Sequence, residues 1–551
     1  MMGARRRFLR RLGEVDRDDY YRFDLKERRN VSLRLNGLRA DAGLELFNQV
    51  NQIVTRSYQA GTAEESIRTI LDPGTYRLRV FSFDGVETNY NLSVSDNNLS
   101  VLEQLQSPTL IRAGTLGADQ FTLTPGYRRY VFSGNGNVDY GAGLFDRLDL
   151  SAFSSSSVRW NPVTANGTGG VRYNPGNGDR LFDQLLLSDG REILLEGIEK
   201  IVFQNESLAT GFINAGLTVN PSDPLFTRQW NLHMMGVHTA WRFTTGSNSV
   251  LIGVQDGGIA LTNEGKSHPD FRSNAMHTTP GNDSADDFFD VPKNKPDLFG
   301  HGTAVLGIIA AASNNGTGMS GINWVSPVIS ADVLGGNRGD ISSEQAIRQW
   351  AEATQPVGGS GQRLIINMSF TSPVSEDFRN LVRQYQDRIL FVISSGNDSQ
   401  STLPTPSVLA SDNLNVIAVG ASWGKQDRNG KSQKMGDRIP YSNYGSGITL
   451  MGPAEVITTK AEGSGNRTIP PKYTYTTNAS PFDGTSSAAP NVAGVASLVW
   501  SANPTLTAAQ VRQILSETAI DVGTPGYDLF TGYGFVNADA AVRRAMAIAR
   551  A

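Results

Sequence analysis

Ser486 stands in the stretch Phe482-Asp483-Gly484-Thr485-Ser486-Ser487-Ala488-Ala489-Pro490, a Gly-Thr-Ser turn that feeds a helix of small and apolar residues. Pro490 is expected in the first turn of that helix, where its missing N–H has no partner to lose. A serine at such a helix start faces free backbone N–H groups and the positive end of the helix dipole, which favour negative charge. Read alone, it is an N-cap. Asp256 ends the apolar run from Asn248 to Ile259 and is followed by two glycines, the pattern of a buried parallel strand passing into a loop. Read alone, it is a turn residue. His301, in Phe299-Gly300-His301-Gly302-Thr303, opens a second small, apolar helix that runs to Ala312. Together the three supply what nucleophilic acyl transfer needs: a hydroxyl, an imidazole to take its proton, and a carboxylate to orient the imidazole and stabilise its charged form. The other histidines (His233, His238, His268, His277) have no comparable surroundings.

Elements able to hold these groups follow from the pattern around them. Apolar runs at Val250–Val254, Val328–Leu334, Leu364–Met368, Ile389–Ile393 and Val416–Val419 alternate with helical stretches such as Glu344–Glu352 and Glu376–Gln386. Buried strands alternating with helices predict an α/β fold, a parallel sheet covered on both faces. Ligands in such folds bind beyond the carboxyl ends of the strands. Asp256 lies just past one such end, and Ser394-Ser395-Gly396-Asn397 past another. Thr507-Ala508-Ala509-Gln510 reads as a capping box that opens a C-terminal helix.

Asp256-Gly257-Gly258, Gly300-His301-Gly302-Thr303 and Gly484-Thr485-Ser486-Ser487-Ala488-Ala489-Pro490, in that order, resemble the three signature blocks of the subtilisin-like serine proteases (subtilases). The spacings of 45 residues from Asp256 to His301 and 185 from His301 to Ser486 suit that family. The resemblance runs from Pro221 to about Ala545, taking in Asp223-Pro224-Leu225-Phe226, Gln229-Trp230-Asn231-Leu232 and Thr531 to Ala538. It implies a serine endopeptidase with a subtilisin-like catalytic domain, in which Ser486 is the nucleophile, His301 the base and Asp256 its orienting partner. Asn397 matches the family's oxyanion asparagine. Substrate is expected extended between Leu334–Gly339 (Leu334 and Gly336) and Ser369–Thr371 (Ser369 and Phe370). Ser394, Ser395 and Gly396 then line the first specificity pocket, and their small neutral character favours broad specificity over cleavage at basic pairs. The partners implied are protein or peptide substrates, and the chain is expected to act as a monomer. No cofactor is expected for catalysis, and structural calcium is what the family often carries. Gly257 replaces the commoner Ser or Thr, and Ser487 the usual Met after the nucleophile. A catalytically silent scaffold acting through its N-terminal modules is the second reading, set against the presence of every catalytic group.

With 551 residues the chain is expected to hold more than one domain. Residues 1–15 read as a basic, solvated tail (Arg5, Arg6, Arg7, Arg10, Arg11) that lacks the apolar core of a signal peptide. Residues 16–100 alternate at period two, as in Tyr76-Arg77-Leu78-Arg79-Val80, and predict an antiparallel β-sandwich. Their Asp19–Phe23 and Leu71–Val80 segments resemble the bacterial pre-peptidase C-terminal-type domain. Residues 107–208 read as a further β-rich accessory domain. There Gly134-Asn135-Gly136-Asn137-Val138-Asp139 and Gly141-Ala142-Gly143-Leu144-Phe145-Asp146 are similar to haemolysin-type calcium-binding β-roll segments. Only about two units are visible where a solenoid needs three, so calcium binding and plain Asn/Asp/Gly turns both stay open. The same holds for Asp283, Asp286, Asp287, Asp290 and Asp297: calcium ligands or a solvated loop. Residues 221–545 form the peptidase domain, and residues 1–220, unlike an inhibitory propeptide, are read as a retained accessory region. A net charge of −4 gives no support for binding nucleic acid, no run is apolar enough to span a membrane, and the absence of cysteine excludes disulfides and thiol chemistry. The family resemblance places the chain outside the cell or in its envelope, with a cytoplasmic location left open.

Overall fold

Period-two segments at the N-terminal end pair into two antiparallel sheets in the structure, a computed structural model. It describes the chain apart from residues 1–5, 13–17, 27–28, 50–51, 60, 72, 83–87, 98–108, 206–207, 263, 272–275, 279–299, 335–340, 355–360, 463–470 and 551. Two compact units emerge, Met1–Pro108 and Thr109–Ala551. The segments read as 107–208 and 221–545 therefore share the second unit.

In the first unit the strands are β1 (Arg6–Leu12), β2 (Asp18–Leu25), β3 (Arg29–Asn36), β4 (Ala42–Phe47), β5 (Ile53–Ser57), β6 (Glu65–Leu71), β7 (Gly74–Ser82) and β8 (Thr88–Asn97). They form sheets in the orders β1-β8-β3-β6 and β2-β7-β4-β5. Alternate residues of both sheets, among them Leu33, Leu35, Leu44, Leu46, Leu78, Val80 and Leu92, bury into one shared core, as a sandwich requires. The segment read as a solvated tail is in part a strand: β1 runs antiparallel to β8 from Arg6↔Val94 to Leu12↔Thr88. It supplies main-chain partners to a β8 edge that would otherwise lie open, a pull that charge composition does not reveal.

The second unit begins with β9 (Thr109–Ala113), β10 (Gln120–Thr122), β11 (Arg129–Ser133), β12 (Arg147–Leu150), β13 (Val158–Asn161), β14 (Val171–Tyr173), β15 (Arg180–Leu187), β16 (Glu192–Glu196) and β17 (Lys200–Phe203). Antiparallel pairing is confined here to β13, β14, β15 and the β15–β16 pair. The rest form two parallel ladders, β9-β11-β16 and β10-β12-β17, between which the chain alternates. That is a parallel β-roll of three coils, enough to bury Phe121, Phe132, Leu148, Leu150, Leu195 and Ile201. Asp119, Asp146 and Glu199 stand at successive coils. The Asp119 amide donates to Asp146 Oδ1 at 2.7 Å and the Asp146 amide to Glu199 Oε2 at 2.9 Å.

Beyond α1 (Leu208–Ala215) come the helices α2 (Trp230–Met234), α3 (Val237–Ala240), α4 (His301–Ala310), α5 (Ser343–Ala353), α6 (Glu376–Gln384), α7 (Thr485–Ala502), α8 (Ala508–Glu517) and α9 (Ala538–Ala549). They surround strands β18 (Val250–Asp256), β19 (Met276–Thr278), β20 (Val328–Asp332), β21 (Arg363–Met368), β22 (Ile389–Ser394), β23 (Val416–Ser422) and β24 (Ile448–Pro453). These make one all-parallel sheet in the order β19-β20-β18-β21-β22-β23-β24. Period two assigns the faces. Val250, Ile252 and Val254 pack with α4, α7, α8 and α9, while Leu251, Leu364, Ile366 and Phe391 pack with Ile347 and Trp350 of α5 and Phe378 and Leu381 of α6. Ala488, Ala489, Ala493 and Ala496 let α7 lie buried across the sheet. Ser342, Ser375 and Thr507 cap α5, α6 and α8, the last in the expected box with Gln510.

Roll and sheet meet along α2, α3 and α9. The Gly-x-Gly repeats of the roll serve this contact: a Cβ on Gly136 would lie 2.0 Å from Met234 O, and one on Gly141 1.8 Å from Thr227 O. Buried charge completes it. Arg543 of α9, wholly buried, donates to Asp183 of β15 at 2.8 Å and to Asp539 at 2.7 Å, and Arg242 adds a forked pair to Asp183 at 2.8 and 3.1 Å. Burial alone would raise the Asp183 carboxyl, but the charges of Arg242 and Arg543 hold it well below the usual carboxylate range. His238 of α3 pairs with Glu199 of the roll at 2.7 Å, and Lys425 with Asp139 at 2.7 Å.

Candidate active site

All seven residues of β18 are buried, and the strand delivers Asp256 to its carboxyl end with no solvent exposure. There Oδ1 accepts from His301 Nδ1 at 2.8 Å and from the Gly257 amide at 2.9 Å. His301 is the first residue of α4, so the small apolar face of that helix, packed against β18 and α7, fixes where the imidazole starts. The Phe482 ring meets the imidazole edge to face at 5.2 Å, which ties His301 to the turn leading into Ser486.

Ser486 is the second residue of α7. Its Oγ donates to Ser369 O at 2.9 Å, and the Ser369 hydroxyl donates back to Ser486 O at 3.0 Å. Pro490 lies one turn further into α7 than its expected first-turn position. The consequence is local: a proline at 490 has no N–H for the carbonyl of residue 486. That freed carbonyl is the one the Ser369 hydroxyl takes. Asn367 Nδ2 in turn donates to Ser369 Oγ at 2.9 Å, so a short polar chain from β21 orders the turn that carries Ser486.

Asn397 follows the end of β22. Its Oδ1 accepts from both the amide and the hydroxyl of Thr485, each at 2.9 Å, and the Gly396 amide donates to Thr485 Oγ at 3.1 Å. With the oxygen anchored, the Asn397 amide nitrogen is the donor end of the group; it lies 3.0 Å from where a Cβ on Gly484 would stand. Ser487 Oγ donates to Gly484 O at 2.9 Å and so stays on its own turn. Asp483 is fixed by Arg428 and by the Tyr441 hydroxyl.

Of the residues expected to hold substrate, Leu334 is exposed, Phe370 half-buried, and Ser369, Ser394 and Ser395 buried. Ser395 Oγ is turned to Asn443 O at 3.2 Å. Gly396 adopts a φ of +94° at the start of the Asn397 turn. Gly336 lies outside the described residues, as do Asp283, Asp286, Asp287, Asp290 and Asp297. Thr485, Asn367 and Phe482 are the residues that sequence reasoning missed. Thr485 stood inside the quoted Ser486 motif, but nothing in a sequence says that its hydroxyl turns towards Asn397.

Among the described residues no group of three or more His, Asp or Glu side chains has the geometry of a metal site. In the roll, Asp146 and Glu199 face the main chain. They hold the amides of neighbouring coils, and Asp146 is pushed up to about 10 by burial and then by the charges of Glu199 and Asp119, which keeps it neutral at neutral pH. Elsewhere Asp223 accepts the amides of Asn314 and Asn315 at 2.7 and 2.9 Å, and Asp270 that of Met319 at 3.0 Å, which closes the loop after α4. Burial pushes Asp270 up to about 6.

Known proteins resemble this chain over both of its units. A model of the bacterial pre-peptidase C-terminal domain matches residues 17–82. The chain is 31% identical over 357 residues to an extracellular protease of Xanthomonas campestris pv. campestris, a match covering 60% of this chain and 58% of that protein. It is 34% identical over 247 residues to subtilisin BL of Lederbergia lenta, covering 44% of this chain and 78% of that one. Among solved structures, a protease from Pseudoalteromonas arctica aligns with a TM-score of 0.46 at 29% identity, over 59% of this chain and 99% of the other. The subtilase family model matches residues 247–534, more than half of the chain and the whole span from β18 to the segment after α8, and the chain therefore belongs to the subtilase family, the subtilisin-like serine endopeptidases.

Proposed function

We propose that Asp256, His301 and Ser486 act as one charge-stabilised nucleophilic unit that hydrolyses peptide bonds in proteins through a covalent acyl-enzyme. The observation that carries this reading is the 2.8 Å contact between His301 Nδ1 and the fully buried Asp256. It fixes the tautomer, leaving Nε2 as the basic nitrogen. Ser486 Oγ exchanges the Ser369 carbonyl for His301 Nε2 as substrate enters and attacks the scissile carbonyl. Its proton passes to Nε2 and from there to the leaving amine, and water then releases the acyl group by the same steps in reverse. The negative charge on the tetrahedral oxygen falls to the Asn397 side-chain N–H and the Ser486 amide at the start of α7. The extended substrate lies along Leu334 and Ser369–Thr371, and the small neutral residues Ser394 and Ser395 favour broad specificity.

The names of its relatives support a secreted protease acting on protein substrates, and the enzyme is read as a monomer. Among the described residues no helix is long and apolar enough to cross a membrane. Hydrolysis of casein and of short peptide anilides tests the reading. The wild type is expected to cleave both and His301→Ala neither, and equal activity of the two would end it.

A further inference from the structure

Asp256 Oδ1 takes two donors, from His301 and Gly257, whereas Oδ2, equally buried, has no hydrogen-bond partner among the described residues. A buried carboxylate oxygen left without a donor is costly, and such an exception calls for a cause. The next residue, Gly257, has no side chain. The Gly257 amide already touches the carboxylate at 2.9 Å, so a side chain on residue 257 would start within reach of it. Glycine has none to offer. Its backbone does not require glycine, since Gly257 is absent from the positive-φ residues while Gly258 is among them at +73°.

We propose that Gly257 is a positioning residue for the reaction: by withholding a donor from Oδ2 it concentrates the charge of Asp256 on His301 and raises the pH below which the imidazole is protonated and activity is lost. Hydrogen bonds to a carboxylate disperse its charge and weaken it as a base. With Oδ2 bare, that charge is answered chiefly at Oδ1, where the imidazolium forms. The charged groups on the described elements packed against Asp256 and His301 are few. Asp332, the register partner of Asp256 on β20, stands on the same face of the sheet. Beside it β21 leads into the uncharged Ser369, α7 has no charged residue and α4 none apart from His301, and on the strand Thr459–Glu462 packed against α4 Lys460 and Glu462 pair with each other at 2.7 Å.

The test is the pH dependence of kcat/KM on a peptide anilide for the full chain and its Gly257→Ser, Gly257→Thr and Gly257→Ala variants. Each is normalised to the fraction of Ser486 that reacts with a fluorophosphonate, so that a poorly folding variant does not distort the profile. Ser and Thr are expected to move the acid limb down by about half to one pH unit, while Ala, which brings bulk but no donor, leaves it in place. An acid limb that Ser and Thr leave unmoved, or that Ala moves as far, overturns the inference. It rests on His301 acting as the base; a wild type that neither reacts with the probe nor hydrolyses the substrate overturns that reading and this one with it.

Discussion

At the scale of residues, the site is a set of anchored polar groups on short turns, and the anchors matter as much as the groups they hold. Asn397 is expected to donate to the oxyanion only because Thr485 occupies its oxygen with two hydrogen bonds. Replacing Asn397 by Ala should lower kcat by about 10²–10³ with little change in KM, a magnitude known from the same substitution class in subtilisin itself. Thr485→Val keeps the shape but removes the hydroxyl that bonds Asn397 Oδ1 and receives the Gly396 amide. A loss of about 1 kcal/mol, roughly five- to tenfold in kcat, is expected from steady-state kinetics. A KM effect alone would mean that Thr485 serves packing and not orientation. Asp256, His301 and Ser486 were legible because each stands in a motif whose composition exceeds what packing needs. Thr485 and Asn367 were not, since a hydroxyl or carboxamide acquires its role from the direction of a hydrogen bond.

At the scale of elements, the parallel sheet could be read from apolar runs and helical intervals, because both faces are buried and the runs are continuous. The roll was only half legible. Asp119 and Asp146 immediately precede β10 and β12 in its first two coils, but Glu199 precedes β17 only after the 41 residues inserted between β12 (ending at Leu150) and β16 (starting at Glu192), so the repeat disappears from the sequence while its geometry persists. This ladder has a measurable signature. Asp146 titrates near 10 in the folded chain, against 3.8 for the free side chain, so the native state binds more protons than the unfolded one throughout that interval. Stability from this group is therefore complete below about pH 4 and is lost as pH rises towards 10. Asp146→Asn, neutral at every pH, should flatten the decline of unfolding free energy between pH 6 and 10 in denaturant titrations. An unchanged slope would show that Asp146 is ionised in the fold.

At the scale of the whole molecule, the seam in the second unit makes roll and catalytic sheet one structure. Arg543 looks like a solvent residue on an alanine-rich helix, and its partner Asp183 is 360 positions away. No local pattern could disclose that pairing. Arg543→Met leaves Asp183 with Arg242 as its remaining cation and is expected to cost about 3–5 kcal/mol, seen as an earlier urea midpoint with an undiminished slope. A loss below 1 kcal/mol would mean that the seam is loosely closed. The same reasoning places the roll within the working enzyme: removing residues 109–203 would take Asp183 from Arg543 and Arg242 and Glu199 from His238 together.

All of this serves one serine. The most direct measurement is to label the purified full chain with a fluorophosphonate, locate the adduct by peptide mass spectrometry, and repeat the labelling on Ser486→Ala and Asp256→Asn. The account predicts a single adduct on Ser486, none in Ser486→Ala, and labelling slowed by orders of magnitude in Asp256→Asn, whose carboxamide cannot hold the imidazole in the same tautomer. An adduct on another residue, or labelling of Asp256→Asn at the wild-type rate, would contradict it.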